Sequence, residues 1–404
     1  MSVVTATEVE AAKGLLVIGL KDLVTPLARD RAKELGVKIK RSAEPAPKPP
    51  TSPKNLAAPA PAPLKTPAAG LSGALYRRGG PVPAALKPEP GTIDSDPRPV
   101  AAVIGAGHVG AMTALRLAET SLLSRVVLVD VVSGLAAGLA LDMWHSASLR
   151  GFTTRIEGGD DMAAIAGADY VVVTAGKPRQ PGMSRTDLTG VNAEIVKQVA
   201  QSIRVHAPRS VVVVVTNPLE EMTHVVTRTT GFAPSRVVGM AGVLDSARFQ
   251  SLVALTGIAK PHEVDAIALG SHGPEMVIPL SLAKARGAPL PTLLGADQLA
   301  AIVERARDSG AEVVKLLQKG SAYFAPAESA AGMVVEMLRE TGKVQAVCVQ
   351  SGGAYGLEDT RVGLPVRLGR NGVKEIVQLP LAPDEKAALA KAAASIAARV
   401  RGLG

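Results

Sequence analysis

Cysteine and aromatic residues are scarce in this sequence. The 404 residues include one cysteine, and only 2% of them are aromatic. A single cysteine excludes an internal disulfide framework. Cys348 lies in an apolar run over residues 344–350, which predicts a buried strand position. Because hydrophobic residues still make up 47% of the chain, we expect a globular protein with a core of mainly alanine, valine and leucine.

Long apolar runs and a strong overall charge are also missing. No run approaches the ~20 apolar residues that span a bilayer, and residues 1–5 lack the basic start and apolar stretch of a signal peptide. These absences predict a cytoplasmic protein without a membrane span. The formal net charge is +9, of which +6 falls in residues 1–98. The remaining +3 is too weak to indicate nucleic-acid binding but suits anionic substrates. No metal site is predicted.

Two N-terminal segments precede the region of regular α/β patterning. Residues 1–41, the N-terminal module, combine a helix start at 5–8, a short strand at 15–18 and a helix that opens at Thr25-Pro26 and ends at Gly36. This is little core for an independent domain, so we expect a short amphipathic, helical module. The stretch from Pro45 to Pro99 contains 15 of the 30 prolines. This composition predicts a flexible Pro/Ala-rich linker over residues 42–98.

Residues from 99 onward show the pattern of an α/β fold. Helical stretches alternate with continuous apolar runs, which are typical of parallel strands buried on both faces; these runs cover residues 100–104, 126–129, 170–173 and 211–215. We therefore predict a Rossmann-type parallel sheet domain over residues 99–242. Residues 243–404 indicate a second, α+β domain for substrate and catalysis, because alternating strands are mixed there with long helices at 296–319, 322–341 and 383–400.

A glycine-rich turn follows the first predicted strand and opens a helix. Its first glycine makes the turn, its second lets a pyrophosphate approach the backbone, and its third allows close helix–strand packing. Asp130 ends the next strand, where its carboxylate would bind ribose hydroxyls and repel a 2′-phosphate, so NAD is favoured over NADP. The alternative is a glycine-rich turn without a ligand. The candidate cofactor-binding residues of the turn are Gly105, Ala106, Gly107, His108, Val109 and Gly110.

Groups suited to proton and hydride transfer follow other predicted strands, where an open α/β sheet binds its ligands. His272 stands in a turn bounded by two glycines and could exchange a proton with a substrate hydroxyl. Asp245 could orient that imidazole, and Arg248, on the same helical face, could grip a carboxylate. The alternative for this pair is a surface ion pair. Asn217 ends the fourth strand, where its side chain could meet a substrate oxygen.

Residues 177–185, the lid loop, carry two arginines between proline and glycine hinges. Arg179 and Arg185 could bring positive charge to a ligand while the loop excludes water. The alternative is a solvated basic loop.

These motifs together resemble the lactate/malate dehydrogenase family, and best match its lactate-dehydrogenase-like malate dehydrogenases of bacteria. The resemblance covers nearly all of residues 99–403, with motifs in the family's order and spacing. Besides the glycine turn they are Thr-Ala-Gly at 174–176, the arginines of the lid loop, Val-Asn-Ala at 191–193, Thr-Asn-Pro at 216–218, Leu-Asp to Arg at 244–248 and His-Gly at 272–273. The resemblance implies an NAD-dependent enzyme that interconverts malate and oxaloacetate, a step of the tricarboxylic acid cycle.

The resemblance also implies a role for each matched residue. His272 would accept the proton in malate oxidation, Asp245 would orient it, and Arg185 would polarise the carbonyl. Arg248 would bind the C1 carboxylate, and Asn217 would contact substrate and the nicotinamide side of the cofactor. Further cofactor contacts would come from Asn192, Val215 and Thr216.

Arg179 occupies the position that separates the family's two activities. Malate dehydrogenases carry arginine there for the second carboxylate, whereas lactate dehydrogenases usually carry glutamine. The resemblance therefore implies a small dicarboxylate substrate; an L-lactate or related 2-hydroxy-acid dehydrogenase is the alternative, and a non-catalytic scaffold is a third reading. His108, Ser271 and Pro274 depart from the family pattern without removing a catalytic group. Because family members form dimers or tetramers, a homo-tetramer or homo-dimer is expected.

The N-terminal module is an addition, because family members normally begin near residue 99. A short amphipathic segment on a Pro/Ala-rich linker resembles the encapsulation peptides that recruit enzymes into bacterial microcompartments. This resemblance implies a shell or cargo partner for residues 1–41 and recycling of NADH inside the shell. The alternatives are a helix that packs on the protein's own oligomer, and a tail without function or in contact with lipid.

Overall fold

The computed structural model describes residues 3–42, apart from 5, 13 and 25, and residues 96–403, apart from 179–184 and 319. The chain divides into two units, Met1–Ala69 and Gly70–Gly404. Most of the predicted linker, residues 43–95, lies outside the described residues, so its flexibility stays a prediction.

The first unit consists of two β-α-β segments that pair with each other. In chain order its elements are β1 (Val3–Val4), α1 (Ala6–Ala11), β2 (Leu15–Gly19), β3 (Leu23–Val24), α2 (Pro26–Glu34) and β4 (Lys38–Ser42). Strand β1 runs parallel to β3, and β2 runs parallel to β4. The unit thus contains the helix expected after Thr25-Pro26, and more strand than the sequence indicated. Its small core is built from Val4, Val9, Ile18, Ala28, Ala32 and Val37.

The second unit begins with six parallel strands, four of which coincide with the predicted apolar runs. They are β5 (Val100–Ile104), β6 (Arg125–Val129), β7 (Arg155–Gly159), β8 (Tyr170–Val173), β9 (Val211–Val214) and β10 (Val237–Gly239). Their spatial order is β7-β6-β5-β8-β9-β10, which is the order of a Rossmann fold. The connecting helices are α3 (His108–Glu119), α4 (Leu135–His145), α5 (Ala147–Arg150), α6 (Arg185–His206) and α7 (Leu219–Thr230). The predicted Rossmann-type sheet is confirmed.

Antiparallel strands and long helices follow. The strands are β11 (Val264–Asp265), β12 (Leu269–Gly270), β13 (Met276–Val277), β14 (Lys284–Ala285), β15 (Ala288–Pro289), β16 (Val344–Gln350), β17 (Arg361–Gly369) and β18 (Gly372–Ile376). Strand β16 pairs with β10, so that β12, β13 and β16–β18 extend the parallel sheet to eleven strands. The helices are α8 (Gly242–Ala254), α9 (Leu290–Leu293), α10 (Ala296–Leu317), α11 (Phe324–Arg339) and α12 (Pro383–Arg401).

Both faces of the large sheet are covered, which explains why its central strands β5, β8 and β9 are apolar without interruption. One core lies between the sheet and α3, α4, α11 and α12, and the other lies between the sheet and α6 and α7. The carboxyl ends of β5, β6, β8 and β9 therefore meet at one open edge, where such sheets bind ligands. Among the helices in the described ranges, none is long and apolar enough to cross a membrane.

Candidate active site

The glycine turn between β5 and α3 is packed tightly at two of its three glycines. Gly105 has a φ of +103°, and a Cβ there would lie 2.7 Å from the backbone nitrogen of Ala175. A Cβ on Gly110 would lie only 1.8 Å from the carbonyl oxygen of Gly105. Both positions therefore require glycine for the turn to pack against its own helix and the end of β8.

Gly107 is different, because a Cβ there would meet no atom within 4 Å. It precedes the first turn of α3, and no side chain caps the helix. The open space and the uncapped backbone N–H groups together form a site that suits the phosphates of a dinucleotide. The residues present therefore fit NAD at this turn.

Asp130 joins the glycine turn to the end of β6. Its Oδ2 accepts a hydrogen bond of 2.6 Å from the backbone N–H of Ala106, and its Oδ1 accepts one of 2.9 Å from Val132. A carboxylate has about four lone-pair sites, so it can still accept bonds from ribose hydroxyls. Its negative charge also disfavours a 2′-phosphate, which supports the predicted preference for NAD.

His272 and Asp245 lie in contact, as the sequence analysis expected. His272 stands in the turn between β12 and β13, and its Nδ1 lies 2.8 Å from Oδ2 of Asp245. Asp245 is in the first turn of α8 and is only 2% exposed, whereas the His272 side chain is 21% exposed. Because an ionised carboxylate only accepts hydrogen bonds, Nδ1 is the donor, which leaves Nε2 of the neutral ring to accept a proton.

Arg248 completes this constellation one helical turn later. Its Nη1 lies 3.2 Å from Oδ1 of Asp245, and its side chain is 16% exposed. One carboxylate therefore bridges the imidazole and the guanidinium. This is more than the surface ion pair considered for Asp245 and Arg248, because the shared carboxylate is buried against the histidine.

Charges around His272 favour its protonated form. Burial lowers the pKa of His272, but the charge and hydrogen bond of Asp245, together with the charge of Glu220, outweigh it and raise the pKa overall. Arg248 acts in the opposite direction. An imidazolium that forms during catalysis is thus stabilised by two carboxylates.

Glu220 was not expected from the sequence. It lies in the first turn of α7. Acidic residues are common there because the helix dipole stabilises negative charge at a helix N-terminus, so the position of Glu220 in the sequence was not distinctive. Tyr323 was also missed; its ring centroid lies 5.0 Å from that of His108 in the glycine turn. An isolated tyrosine before a helix carries no motif that would mark it.

The ends of β8 and β9 are held together by Asn192 and Thr216. Asn192 is 1% exposed; its side chain accepts from the backbone N–H of Lys177 at 2.8 Å and donates to the carbonyl oxygens of Lys177 and Asn217. Thr216 donates to the carbonyl oxygen of Ala175 at 2.7 Å. These polar groups therefore fix the loops, and direct contact of Asn192, Val215 or Thr216 with cofactor stays a prediction. Asn217, in contrast, is exposed at the strand end.

The lid loop is described only at its two ends. Arg179 lies outside the described residues, and of Arg185 only the backbone, at the start of α6, is described. Their proposed substrate contacts therefore stay predictions. Within the part of the chain that the structure covers, no group of three or more histidine, cysteine or acidic residues could hold a metal ion.

Comparison with known proteins agrees with this geometry. The family model for the lactate/malate dehydrogenase NAD binding domain matches residues 100–239, and that for the alpha/beta C-terminal domain matches residues 242–401. Malate dehydrogenase of Thermomicrobium roseum is 45% identical over 294 residues, which cover 73% of this chain and 94% of that protein. Malate dehydrogenase of Synechocystis sp. is 44% identical, and the match covers 71% of this chain and 88% of that protein.

Solved structures give the same relationship. Malate dehydrogenase from Salinibacter ruber superposes with a TM-score of 0.72 at 37% identity, covering 75% of this chain and 97% of its own. Lactate dehydrogenase from Cryptosporidium parvum, complexed with lactic acid and nicotinamide adenine dinucleotide, superposes with a TM-score of 0.73 at 34% identity. The match covers 76% of this chain and 98% of that one. The chain therefore belongs to the lactate/malate dehydrogenase family, with NAD as its cofactor.

Proposed function

We propose that the chain is an NAD-dependent dehydrogenase that interconverts malate and oxaloacetate. The observation that carries this proposal is the buried carboxylate of Asp245, which bridges Nδ1 of His272 and the guanidinium of Arg248. That arrangement holds a proton acceptor and a carboxylate-binding cation side by side. Relatives that are 42–45% identical and are named malate dehydrogenase support the choice of substrate.

Each of these residues has a separate role in the reaction. Nε2 of His272 takes the proton of the substrate hydroxyl, and Asp245 stabilises the imidazolium that results. Arg248 holds the C1 carboxylate by paired hydrogen bonds, while Asn217 and Arg185 bind the oxygen at C2. NAD, when bound at the glycine turn, supplies the acceptor for the hydride from C2. The reverse reaction uses the same groups, with His272 returning the proton.

Arg179 is proposed to bind the second carboxylate of malate. A charge-assisted pair of this kind contributes about 1.5–3 kcal/mol, which corresponds to roughly a 10- to 100-fold preference in kcat/KM. The test is to measure kcat/KM for oxaloacetate and pyruvate with the wild type and with Arg179→Gln, using Lys177→Gln as a matched control in the same loop.

We expect the wild type and Lys177→Gln to prefer oxaloacetate, and Arg179→Gln to lose most of that preference. Equal or better turnover of pyruvate by the wild type would contradict the malate proposal. It would instead favour a lactate dehydrogenase, an alternative that the similarity to the Cryptosporidium parvum enzyme supports.

The N-terminal module is proposed to be a docking segment that recruits the enzyme to a bacterial microcompartment. It belongs to the first unit, Met1–Ala69, whose described core has few buried apolar side chains. Leu15, Leu20 and Leu35 are 51%, 62% and 46% exposed, so apolar surface is available to a partner. The test is the cellular distribution of residues 1–41 fused to a fluorescent protein in cells that form shells. Foci that vanish in a Leu20→Asp, Leu35→Asp variant support docking, whereas diffuse fluorescence of the unaltered fusion rules it out.

A further inference from the structure

Two adjacent glutamates at the start of α7 are buried, although acids in a first helical turn are usually solvated. Glu220 is 1% exposed and Glu221 is 2% exposed. They lie shortly after Asn217 in the chain, with Pro218 and Leu219 in between. Burying a carboxylate is costly unless it is paired or hydrogen-bonded, so the partners of these two side chains explain their position.

The partner of Glu220 is the backbone of the catalytic turn. Oε1 of Glu220 accepts a hydrogen bond of 2.6 Å from the backbone N–H of His272. Within the turn itself the described backbone bonds are short-range, from Gly273 to Ser271 and from Met276 to Gly273. The carboxylate therefore ties the His272 amide to α7 by a charge-assisted bond, which is stronger than a neutral one.

Glu221 reaches the same turn through Arg399 of α12. Nε of Arg399 donates to Oε1 of Glu221 at 2.9 Å. The other two nitrogens donate to Oε2 of Glu275 at 3.1 Å and to Oγ of Ser271 at 3.3 Å. The guanidinium thus contacts the turn on both sides of His272, at Ser271 before it and at Glu275 after it.

Burial and neighbouring charges act in opposite directions on the ionisable groups of this cluster. Burial raises the pKa of Glu220, although its hydrogen bond with His272 acts against the increase. Burial lowers the pKa of Arg399, but Glu275, Glu221 and Glu220 together raise it overall, so the guanidinium stays charged. An Arg399 replaced by an apolar residue would leave the carboxylate of Glu221 buried without its cation.

We propose that Glu220, Glu221 and Arg399 form a clamp that positions the His272 turn relative to the strand end that carries Asn217. Asp245 fixes the rotation of the imidazole, and the clamp fixes the backbone that carries it. Because α7 begins just after Asn217, the clamp sets the distance between the proton acceptor and the group that binds the substrate oxygen. It also makes α12, at the far end of the chain, necessary for catalysis. The inference rests on the proposed function of His272.

The experiment compares Arg399→Met, Arg399→Lys, Glu220→Ala and Glu220→Gln with the wild type. The matched control is Arg401→Met, because Arg401 is exposed on the same helix. The measurements are kcat, KM for NAD, the pH profile of kcat/KM, Tm, and the titration of His272 followed by NMR of ¹⁵N-labelled histidine, assigned with His272→Asn. The NMR titration is independent of activity, so it tests the clamp even if the substrate proposal fails.

We expect Arg399→Met and Glu220→Ala to lower kcat by roughly 10- to 100-fold, as a displaced catalytic group does, with KM for NAD within about twofold. Arg399→Lys keeps the charge but not the three contacts, so it should recover only part of kcat. Glu220→Gln keeps an acceptor oxygen and should recover most of kcat, while the His272 titration and the acidic limb of the profile move to lower pH. Arg401→Met should match the wild type.

The clamp is refuted if all the folded variants of Arg399 and Glu220 behave like the wild type. That outcome means an unchanged kcat, an unchanged pH profile and an unchanged His272 titration. A loss of Tm in Arg399→Met with an unchanged kcat in Arg399→Lys would assign these residues to stability alone, which also overturns the proposal. An unreactive wild type whose His272 titration still shifts in Glu220→Gln would overturn the substrate assignment and keep the clamp.

Discussion

Replacing Gly107 by alanine should weaken NAD binding without weakening the fold. The backbone of Gly107 has φ −68° and ψ −179°, which an alanine adopts without strain. A methyl group there meets no atom within 4 Å, so we expect the free energy of unfolding to change by less than about 0.5 kcal/mol. The methyl would, however, occupy the space in which a phosphate approaches the uncapped N–H groups of α3. Losing one charge-assisted hydrogen bond costs about 1.5–3 kcal/mol, or roughly a 10- to 100-fold increase in Kd.

Gly110→Ala should have the opposite balance of effects. Its methyl would lie 1.8 Å from the Gly105 carbonyl oxygen and 2.7 Å from Oγ1 of Thr174. A backbone oxygen cannot move aside without moving the whole turn, so overpacking should cost about 1–3 kcal/mol of stability. Tm should therefore fall for Gly110→Ala and stay unchanged for Gly107→Ala.

The assay is Kd for NAD by isothermal titration calorimetry, paired with Tm by circular dichroism. Gly332→Ala is the matched control, because a methyl group there meets no atom within 4 Å and the residue lies inside α11. It should bind NAD like the wild type and be slightly more stable, since glycine disfavours a helix interior. If Gly107→Ala binds NAD with the wild-type Kd, the phosphates do not lie against this backbone and the assignment of the turn is wrong.

Two further predictions concern the carboxylates of the site. Asp245→Asn removes the main charge that raises the pKa of His272, so the acidic limb of the kcat/KM profile for malate oxidation should move to lower pH, and kcat should fall at least ~100-fold; an unshifted limb would contradict the pairing. Asp130→Ser removes the negative charge beside the glycine turn, so Kd for NAD should rise roughly 10-fold and the preference for NAD over NADP should shrink. Measured binding of both cofactors decides this, and an unchanged ratio would exclude Asp130 from cofactor selection.

Much of the fold could be predicted because its signals are local. A parallel strand that is buried on both faces needs an unbroken apolar run, and residues 100–104 and 211–214 show that requirement directly in the sequence. The glycine turn is equally local, since its three glycines all lie in the one short connection between β5 and the first turn of α3. The short strands β1 and β3 of the N-terminal unit were missed, because two residues are too few for an alternating pattern.

The sequence by itself determined which residue types could do the chemistry: one histidine between glycines, an acid and an arginine on one helical face, and a glycine turn before a helix. Only the tertiary structure decided which of them meet. His272 is 27 residues from Asp245 and 52 from Glu220, and Glu221 is 178 residues from Arg399. A local pattern tells which face of a helix or strand is buried, but not which distant element covers it. For Glu220 and Glu221 the pattern indicated ordinary acids at a helix start, and packing against the His272 turn and α12 gave them their partners.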